Sequence, residues 1–210
     1  MGRSRYLLVA LALGATQPAV AGDFSANIGM MSDYIFRGVK QNTSASAFAG
    51  LDYENSGFYV GTWAAEVGDG LEYDLYGGYG GTVGDFSYGI GYTGYFYTDD
   101  FDDTYQELNL SVGYSLLTLD YAYGSYDNFD ESSLDYDFLS ATFEYEGFYA
   151  KYGTWGKDFE GDYVEAGYGT DVSGFDVGIA AVYSDSDLVL TSDSSETTLI
   201  FTIGKTFDLR

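Results

Sequence analysis

The sequence predicts an all-β fold, a transmembrane antiparallel up-and-down β-barrel of about 12 strands. Apolar and polar residues alternate with a period of two across nearly all of residues 22–210, as in strands with one face in an apolar environment. The strands marked in this way reach about eleven residues, which rise roughly 36 Å and span about 27 Å at a tilt near 40°. Soluble strands usually stop at about five or six residues. The connections alternate between longer, often acidic segments and short turns, as expected of a barrel with two different ends.

The first 21 residues have the pattern of a targeting segment. Arg3 and Arg5 precede an apolar run over residues 6–15, which is too short to cross a bilayer as a helix. The run leads to Ala19, Val20 and Ala21, a small-x-small sequence that signal peptidase accepts. We therefore expect a cleaved signal peptide over residues 1–21, export from the cytoplasm, and a single barrel domain over residues 22–210. The alternative is an uncleaved N-terminal anchor.

The first third of the mature region predicts four strands. In residues 25–36 apolar side chains alternate up to Tyr34 and Phe36, and polar side chains, including Asp33 and Arg37, follow the other face. We expect Tyr34 and Phe36 to lie at the outer lipid boundary and Arg37 to point into the lumen. The next three strands are predicted over residues 43–53, 58–67 and 71–79. The two faces of the third strand are too similar to assign a lipid side.

The rest of the chain predicts eight more strands with the same alternation. They cover residues 86–96, 107–114, 117–124, 139–145, 148–155, 164–169, 175–183 and 198–207. Their charged residues fall on the more polar face, since a basic side chain facing lipid at the bilayer midplane costs about 2 to 4 kcal/mol. Lys205 is the exception, and it lies close enough to a strand end to reach the headgroups. A soluble β-sandwich with an acidic outer face shows the same period, but the strand length favours the membrane barrel.

The composition narrows the possible partners and chemistry. The chain has 33 acidic and 8 basic residues, and removing Arg3 and Arg5 leaves a mature charge of 6 − 33 = −27. Nucleic acid and anionic surfaces are therefore not expected partners. The absence of Cys and His removes disulfides, thiolate chemistry and imidazole bases, so neither an enzyme nor a cofactor is predicted. The 29 glycines, 23 tyrosines and single proline suit long strands with aromatic girdles.

Two segments resemble a known family. SDYIFRGVKQ at residues 32–41 is followed by GLDYENSGFYVGTWAAEV at residues 50–67. The pattern S-D-Y-x-F-R-G, then a polar gap, then G-x-D-Y and G-F-Y-x-G-T-W, resembles the opening of the TorF family of small proteobacterial outer-membrane proteins, which are classed as porins. The resemblance implies an outer-membrane β-barrel and carries over no catalytic or ligand-binding residue.

The polar faces of the strands supply the candidate pore-lining residues. They are Asp33, Arg37, Asp52, Glu72, Asp74, Glu107, Asp120, Glu144, Lys151, Glu165 and Asp176. An acid-lined passage prefers cations, so the predicted function is a narrow outer-membrane channel for passive passage of small solutes. A non-conducting structural or adhesion barrel is the alternative, because twelve strands lie between the filled eight-stranded barrels and the open sixteen-stranded ones.

Arg37 and the acidic loops each have two interpretations. Arg37 is either a selectivity contact or a lumen cation balanced by acids of other strands, and the excess of acids favours the second. The acidic loops near residues 99–103, 125–137 and 185–196 either bind divalent cations that bridge to lipopolysaccharide or are simply solvated, and solvated charge runs are commoner. Outer-membrane lipid, lipopolysaccharide and small solutes are the expected partners, and the sequence leaves the oligomeric state open.

Overall fold

A computed structural model describes residues 22–42 and 44–209, so the predicted signal peptide lies outside the described residues. The strands are β1 (Asp23–Met31), β2 (Ile35–Phe36), β3 (Val39–Lys40), β4 (Ser46–Asn55), β5 (Phe58–Val67), β6 (Gly70–Val83), β7 (Phe86–Tyr97), β8 (Tyr105–Tyr114), β9 (Leu117–Tyr126), β10 (Leu134–Tyr145), β11 (Phe148–Lys157), β12 (Asp162–Val172), β13 (Phe175–Ser184) and β14 (Glu196–Leu209). A 3₁₀ turn, Ser186–Leu188, precedes β14.

Twelve of these strands form one closed wall. β1 pairs with β4 on one side and with β14 on the other, and each remaining wall strand pairs antiparallel with its neighbours in sequence. This confirms the predicted transmembrane antiparallel up-and-down β-barrel of twelve strands. Because side chains alternate between the two faces of every strand, the register assigns each residue to the outside or the interior. β5, whose faces were left unassigned, turns Phe58 and Val60 outward and Trp63 and Ala65 inward.

The two ends of the barrel differ in their connections. At one end, the short-turn end, the strands are joined by two-residue turns such as Glu146–Gly147, whose φ angles of 50° and 87° are those of a type I′ turn. At the other, the long-loop end, the connections include residues 98–104, 127–133 and 185–195. The connection between β5 and β6, residues 68–69, is short although it lies at the long-loop end. The predicted alternation is otherwise present.

The outer surface is apolar. Ile28, Leu75 and Leu110 point outward and are 57%, 53% and 42% exposed. Aromatic pairs such as Phe148 and Tyr168, with ring centroids 4.6 Å apart, form a girdle near the short-turn end. An apolar exterior of this kind is stable in lipid and not in water. No helix in residues 22–42 or 44–209 is long and apolar enough to cross a membrane.

The first predicted strand is wrong in its second half. β1 ends at Met31, and residues 32–42 leave the wall and fold into the barrel as a small antiparallel sheet of β2 and β3. We call residues 32–42 the inner hairpin. Arg37 and Gly38 form its tip with φ angles of 47° and 86°, the left-handed pair that a type I′ turn requires. Tyr34, predicted at the lipid boundary, is only 4% exposed and lies inside, and Phe36 packs against the same interior core.

The depth of the apolar belt gives a first test. Leu110→Arg places a charge in the middle of β8, facing outward, and should lower the free energy of unfolding by about 2 to 4 kcal/mol, because a cation at the bilayer midplane loses its hydration. Leu117→Arg is the matched control, since it makes the same change at the short-turn end, where the cost is about 0 to 1 kcal/mol. Folding titrations in lipid vesicles with urea measure both. Equal costs at the two depths would contradict a membrane-spanning orientation.

Candidate functional site

The centre of the interior is an ion pair between the tip of the inner hairpin and β8. Arg37 Nη1 and Nη2 donate to Glu107 Oε2 and Oε1 at 2.8 Å and 2.7 Å. The Tyr95 and Tyr136 hydroxyls donate to the same two oxygens at 2.7 Å and 3.0 Å. Glu107 is therefore fully hydrogen-bonded although it is only 2% exposed. Burial acts to lower the pKa of Arg37, but the Glu107 carboxylate outweighs burial and raises that pKa above its usual value.

Aromatic rings surround the same guanidinium. The Arg37 Cζ atom lies 4.4 Å from the ring centroid of Phe138, 4.9 Å from that of Phe36 and 5.5 Å from that of Trp155. Trp155 also donates from Nε1 to the Arg37 carbonyl oxygen at 3.0 Å. Cation–π contacts strengthen when water is excluded, so the rings and the carboxylate hold the cation together.

Further contacts attach the hairpin to other walls. Tyr34 donates its hydroxyl to Glu72 on β6, and Ser184 Oγ on β13 donates to the Gly38 carbonyl oxygen at 2.6 Å. Lys40 Nζ lies 2.8 Å from Glu196 Oε1 at the start of β14. The partners on β6, β8, β11, β13 and β14 all lie near the long-loop end of their strands. The inner hairpin therefore crosses the barrel at that end.

Two buried acids lie beside the hairpin without a matching cation. Glu72 and Asp74 are both 0% exposed. Both carboxylate oxygens of Asp74 lack a hydrogen-bond partner among the described residues, and its register partners are Trp63 on β5 and Tyr95 on β7. A buried carboxyl group without a hydrogen-bond partner is costly, so this region is less stable with the hairpin inserted than it would be if every polar atom were paired.

The half of the barrel toward the short-turn end is lined differently. Its inward positions are mostly small; they include Gly61, Gly78, Gly89, Gly91, Ser111, Thr118, Gly167, Gly178 and Thr202. A cavity of about 330 Å³ lies here, with Asp33 and Tyr34 of the hairpin on one side and Glu144, Tyr149 and Glu165 on the other. The small side chains leave space in this half of the barrel, whereas aromatic side chains fill the half toward the long-loop end.

The structure places the predicted site residues either on the wall strands or on the inner hairpin. Nine of the eleven candidates lie on wall strands, and the register turns them inward: Asp52, Glu72, Asp74, Glu107, Asp120, Glu144, Lys151, Glu165 and Asp176. Asp33 and Arg37 lie on the inner hairpin and not on the first strand. Glu107 forms the ion pair with Arg37, and Glu72 and Asp74 lie beside the hairpin on β6.

The remaining candidates are spread through the half of the barrel toward the short-turn end. Lys151 lies opposite Glu165 in register, and the charges of Asp120 and Glu144 also act on it. Asp52 accepts a hydrogen bond from the Tyr76 hydroxyl at 2.5 Å. Asp176 lies opposite Asp171 beside the last short turn.

The sequence reasoning missed the residues that hold the hairpin. Phe138 and Trp155 were not singled out, and Tyr34 and Phe36 were assigned to the lipid boundary. The available signal was the segment Ile35 to Lys40, in which Arg-Gly, with Ile-Phe before it and Val-Lys after it, fits a two-residue hairpin. Its apolar residues alternate as in a wall strand, so period alone did not reveal it. Within the described ranges, no group of three or more acidic side chains is arranged to hold a metal ion.

These features define a class of protein: a small outer-membrane β-barrel with its first long loop folded into the interior. The sequence matches, over residues 15–207, the profile of a family described as bacterial protein of unknown function (Gcw_chp). The chain belongs to that family. No curated protein matches the chain. The family match covers most of the chain and does not by itself assign an activity.

Solved structures similar to this one are membrane proteins. One, from a study of the mechanism behind the in-meso crystallization of membrane proteins, is 9% identical, with a TM-score of 0.56 over 89% of this chain and 84% of that one. The COG4313 outer membrane channel from Pseudomonas putida F1 is 9% identical, with a TM-score of 0.48 over 95% of this chain and all of that one. Pseudomonas aeruginosa OpdK with vanillate is 13% identical, with a TM-score of 0.43 over 80% of this chain and 58% of that one. At such identities the first of these likenesses supports the fold alone.

The ion pair makes a prediction about access to the hairpin. Glu107→Gln leaves Arg37 without its carboxylate, which costs about 3 to 5 kcal/mol in a buried site, so the hairpin should leave the interior. Trypsin should then cut after Arg37 or Lys40 at least about tenfold faster than in the wild type, as followed by mass spectrometry of the folded protein in detergent. Glu144→Gln, an interior carboxylate near the short-turn end, is the control and should leave the rate unchanged. Equal cleavage in wild type and Glu107→Gln would contradict the anchoring role.

Proposed function

We propose that this protein is a porin-like outer-membrane channel for passive passage of small solutes, with a preference for cations, and that the inner hairpin closes it at rest. The observation that carries the proposal is the asymmetry of the interior. The hairpin crosses the long-loop end through contacts to β6, β8, β11, β13 and β14, and the other half keeps a cavity lined by acidic, small and apolar residues, among them Glu144, Glu165 and Tyr149. In barrels of this kind the short turns face the periplasm, so the hairpin faces the cell exterior.

The cation preference follows from the inward charges. Nine of the candidate pore-lining residues are acids and two, Arg37 and Lys151, are bases. With Arg37 paired to Glu107, the open half retains Asp120, Glu144 and Glu165 around Lys151, and Asp52 on another part of the wall. Acidic rings attract cations and repel anions in a confined passage. The resemblance to the TorF porins supports the same function, and we extend that family relationship to this chain as part of the proposal.

A second function is favoured by one observation. The hairpin is held by an ion pair, cation–π contacts and hydrogen bonds at once, which is the arrangement expected if the barrel never opens. In that case the protein is a structural or adhesion barrel whose outer loops meet a partner. The two functions differ in what happens when the hairpin is removed, because only a channel has a continuous passage behind it.

Removal of the hairpin should open the channel. Met31 and Ser46 are register partners, so replacing residues 32–45 by Asn-Gly joins β1 to β4 through a two-residue turn. We expect the single-channel conductance in planar bilayers to rise severalfold above that of the wild type, because the hairpin no longer occupies the lumen.

The matched control makes the same replacement in another loop. Tyr126 and Leu134 are also register partners, so replacing residues 127–133 by Asn-Gly should leave the conductance at the wild-type value. Both variants must show the heat-dependent gel shift of a folded barrel. A folded hairpin-deleted variant that conducts no ions would overturn the channel and support the structural barrel.

The acids of the open half should set the ion selectivity. In the hairpin-deleted protein, combining Asp120→Asn, Glu144→Gln and Glu165→Gln removes three inward charges. The reversal potential in a KCl gradient should then move toward zero, since three of the inward acids are lost while Lys151 keeps its charge. The control removes three charges from the outer loop with Asp127→Asn, Asp130→Asn and Glu131→Gln, and should keep the cation preference. Equal shifts in the two variants would show that the interior acids do not select ions.

A further inference from the structure

The side chain of Arg37 occupies its site as a bound ligand would. Its guanidinium donates to both carboxylate oxygens of Glu107, at 2.7 Å and 2.8 Å. Its Cζ atom lies 4.4 Å to 5.5 Å from the centroids of three aromatic rings. A carboxylate that matches the planar fork, with rings above the plane, is how proteins recognise guanidinium groups. The site therefore shows a defined ligand chemistry, with the ligand supplied by the chain itself.

Most of this cage belongs to the barrel wall. Glu107 lies on β8, Tyr95 on β7, Phe138 and Tyr136 on β10, and Trp155 on β11; of the groups around the guanidinium, only Phe36 belongs to the hairpin. The Tyr95 and Tyr136 hydroxyls hold the Glu107 carboxylate in place independently of Arg37. The cage is thus built on closed-barrel strands and keeps its shape when the guanidinium leaves. Preorganised groups bind a ligand without the cost of ordering them.

We propose that this cage, Glu107 with Tyr95, Tyr136, Phe138 and Trp155, is a binding site for small organic cations with a guanidinium group. Such a solute competes with Arg37 for Glu107 and releases the hairpin tip, so it both opens the channel and passes through it. The inference rests on the proposed function for the passage, but the binding site itself stands on the geometry. Alkylammonium ions fit less well, because a single ammonium does not match both carboxylate oxygens in one plane.

Tethering explains why the cage is closed in the wild type. A group held on a short flexible segment has an effective concentration of about millimolar or more, and Arg37 is further fixed by its hairpin. A free solute must exceed that concentration to displace it. Removing the Arg37 side chain leaves the carboxylate and the rings in place and makes the cage available at much lower solute concentration.

Methylguanidinium binding to Arg37→Ala tests the inference. Isothermal titration of the folded full-length variant in detergent should give one saturable site. The affinity should be at least about tenfold higher than in the wild type, where Arg37 competes for the site. It should exceed the affinity of Arg37→Ala/Glu107→Gln, where the carboxylate is lost, by at least about the same factor. Methylammonium should bind Arg37→Ala at least about threefold more weakly than methylguanidinium.

Two results would overturn the inference. One is the absence of saturable binding in an Arg37→Ala protein that retains the heat-dependent gel shift; the other is equal affinity in the variants with and without Glu107. Arg37→Gln, which is closer in size, provides the same comparison if Arg37→Ala fails to fold. The titration requires no ion flow, so a barrel that binds methylguanidinium but does not conduct would contradict the proposed function and leave the binding site intact.

Discussion

The pairing of Arg37 with Glu107 governs the arrangement of the interior. A closed barrel in lipid must keep its acids out of the apolar belt, and this chain carries 33 acidic residues with few bases to balance them. Arg37 is the only arginine in residues 22–209, and it delivers its charge to the opposite wall by folding the first long loop inward. An Arg side chain stays charged when buried and bonds both carboxylate oxygens, which a lysine at this position does not achieve.

The remaining packing follows from that placement. Once the tip reaches β8, the apolar side chains of the hairpin contact two interior clusters, one with Met31 and Phe48 and one with Phe138 and Val182. The same closure buries Asp74 with neither a cation nor a hydrogen-bond partner in the described part of the chain. Water entering on release of the hairpin would hydrate that carboxylate and offset part of the lost contacts. The unpaired carboxyl group of Asp74 makes the closed state easier to open. This favours a mobile hairpin over a permanent plug.

The wall could be predicted from the sequence, and the insertion of the hairpin into the barrel could not. Period two assigned the outward and inward faces of Leu110, Glu107 and Lys151 because every wall strand meets lipid on one side and the lumen on the other. Tyr34 and Phe36 continued the same alternation although they leave the wall, since a hairpin inside a barrel is also built from alternating residues. The partner of Arg37 lies 70 residues away on β8, and no local pattern encodes a contact across the lumen.

Hydrogen–deuterium exchange of the folded protein tests the central claim most directly. The amides of residues 32–42 are predicted to exchange slowly in the wild type, because the hairpin is buried and β2 pairs with β3. In Glu107→Gln the same amides should exchange as fast as those of the outer loop at residues 127–133, with the wall strands unchanged. Exchange of residues 32–42 at the rate of that outer loop in the wild type would contradict a hairpin held inside the barrel by Arg37 and Glu107.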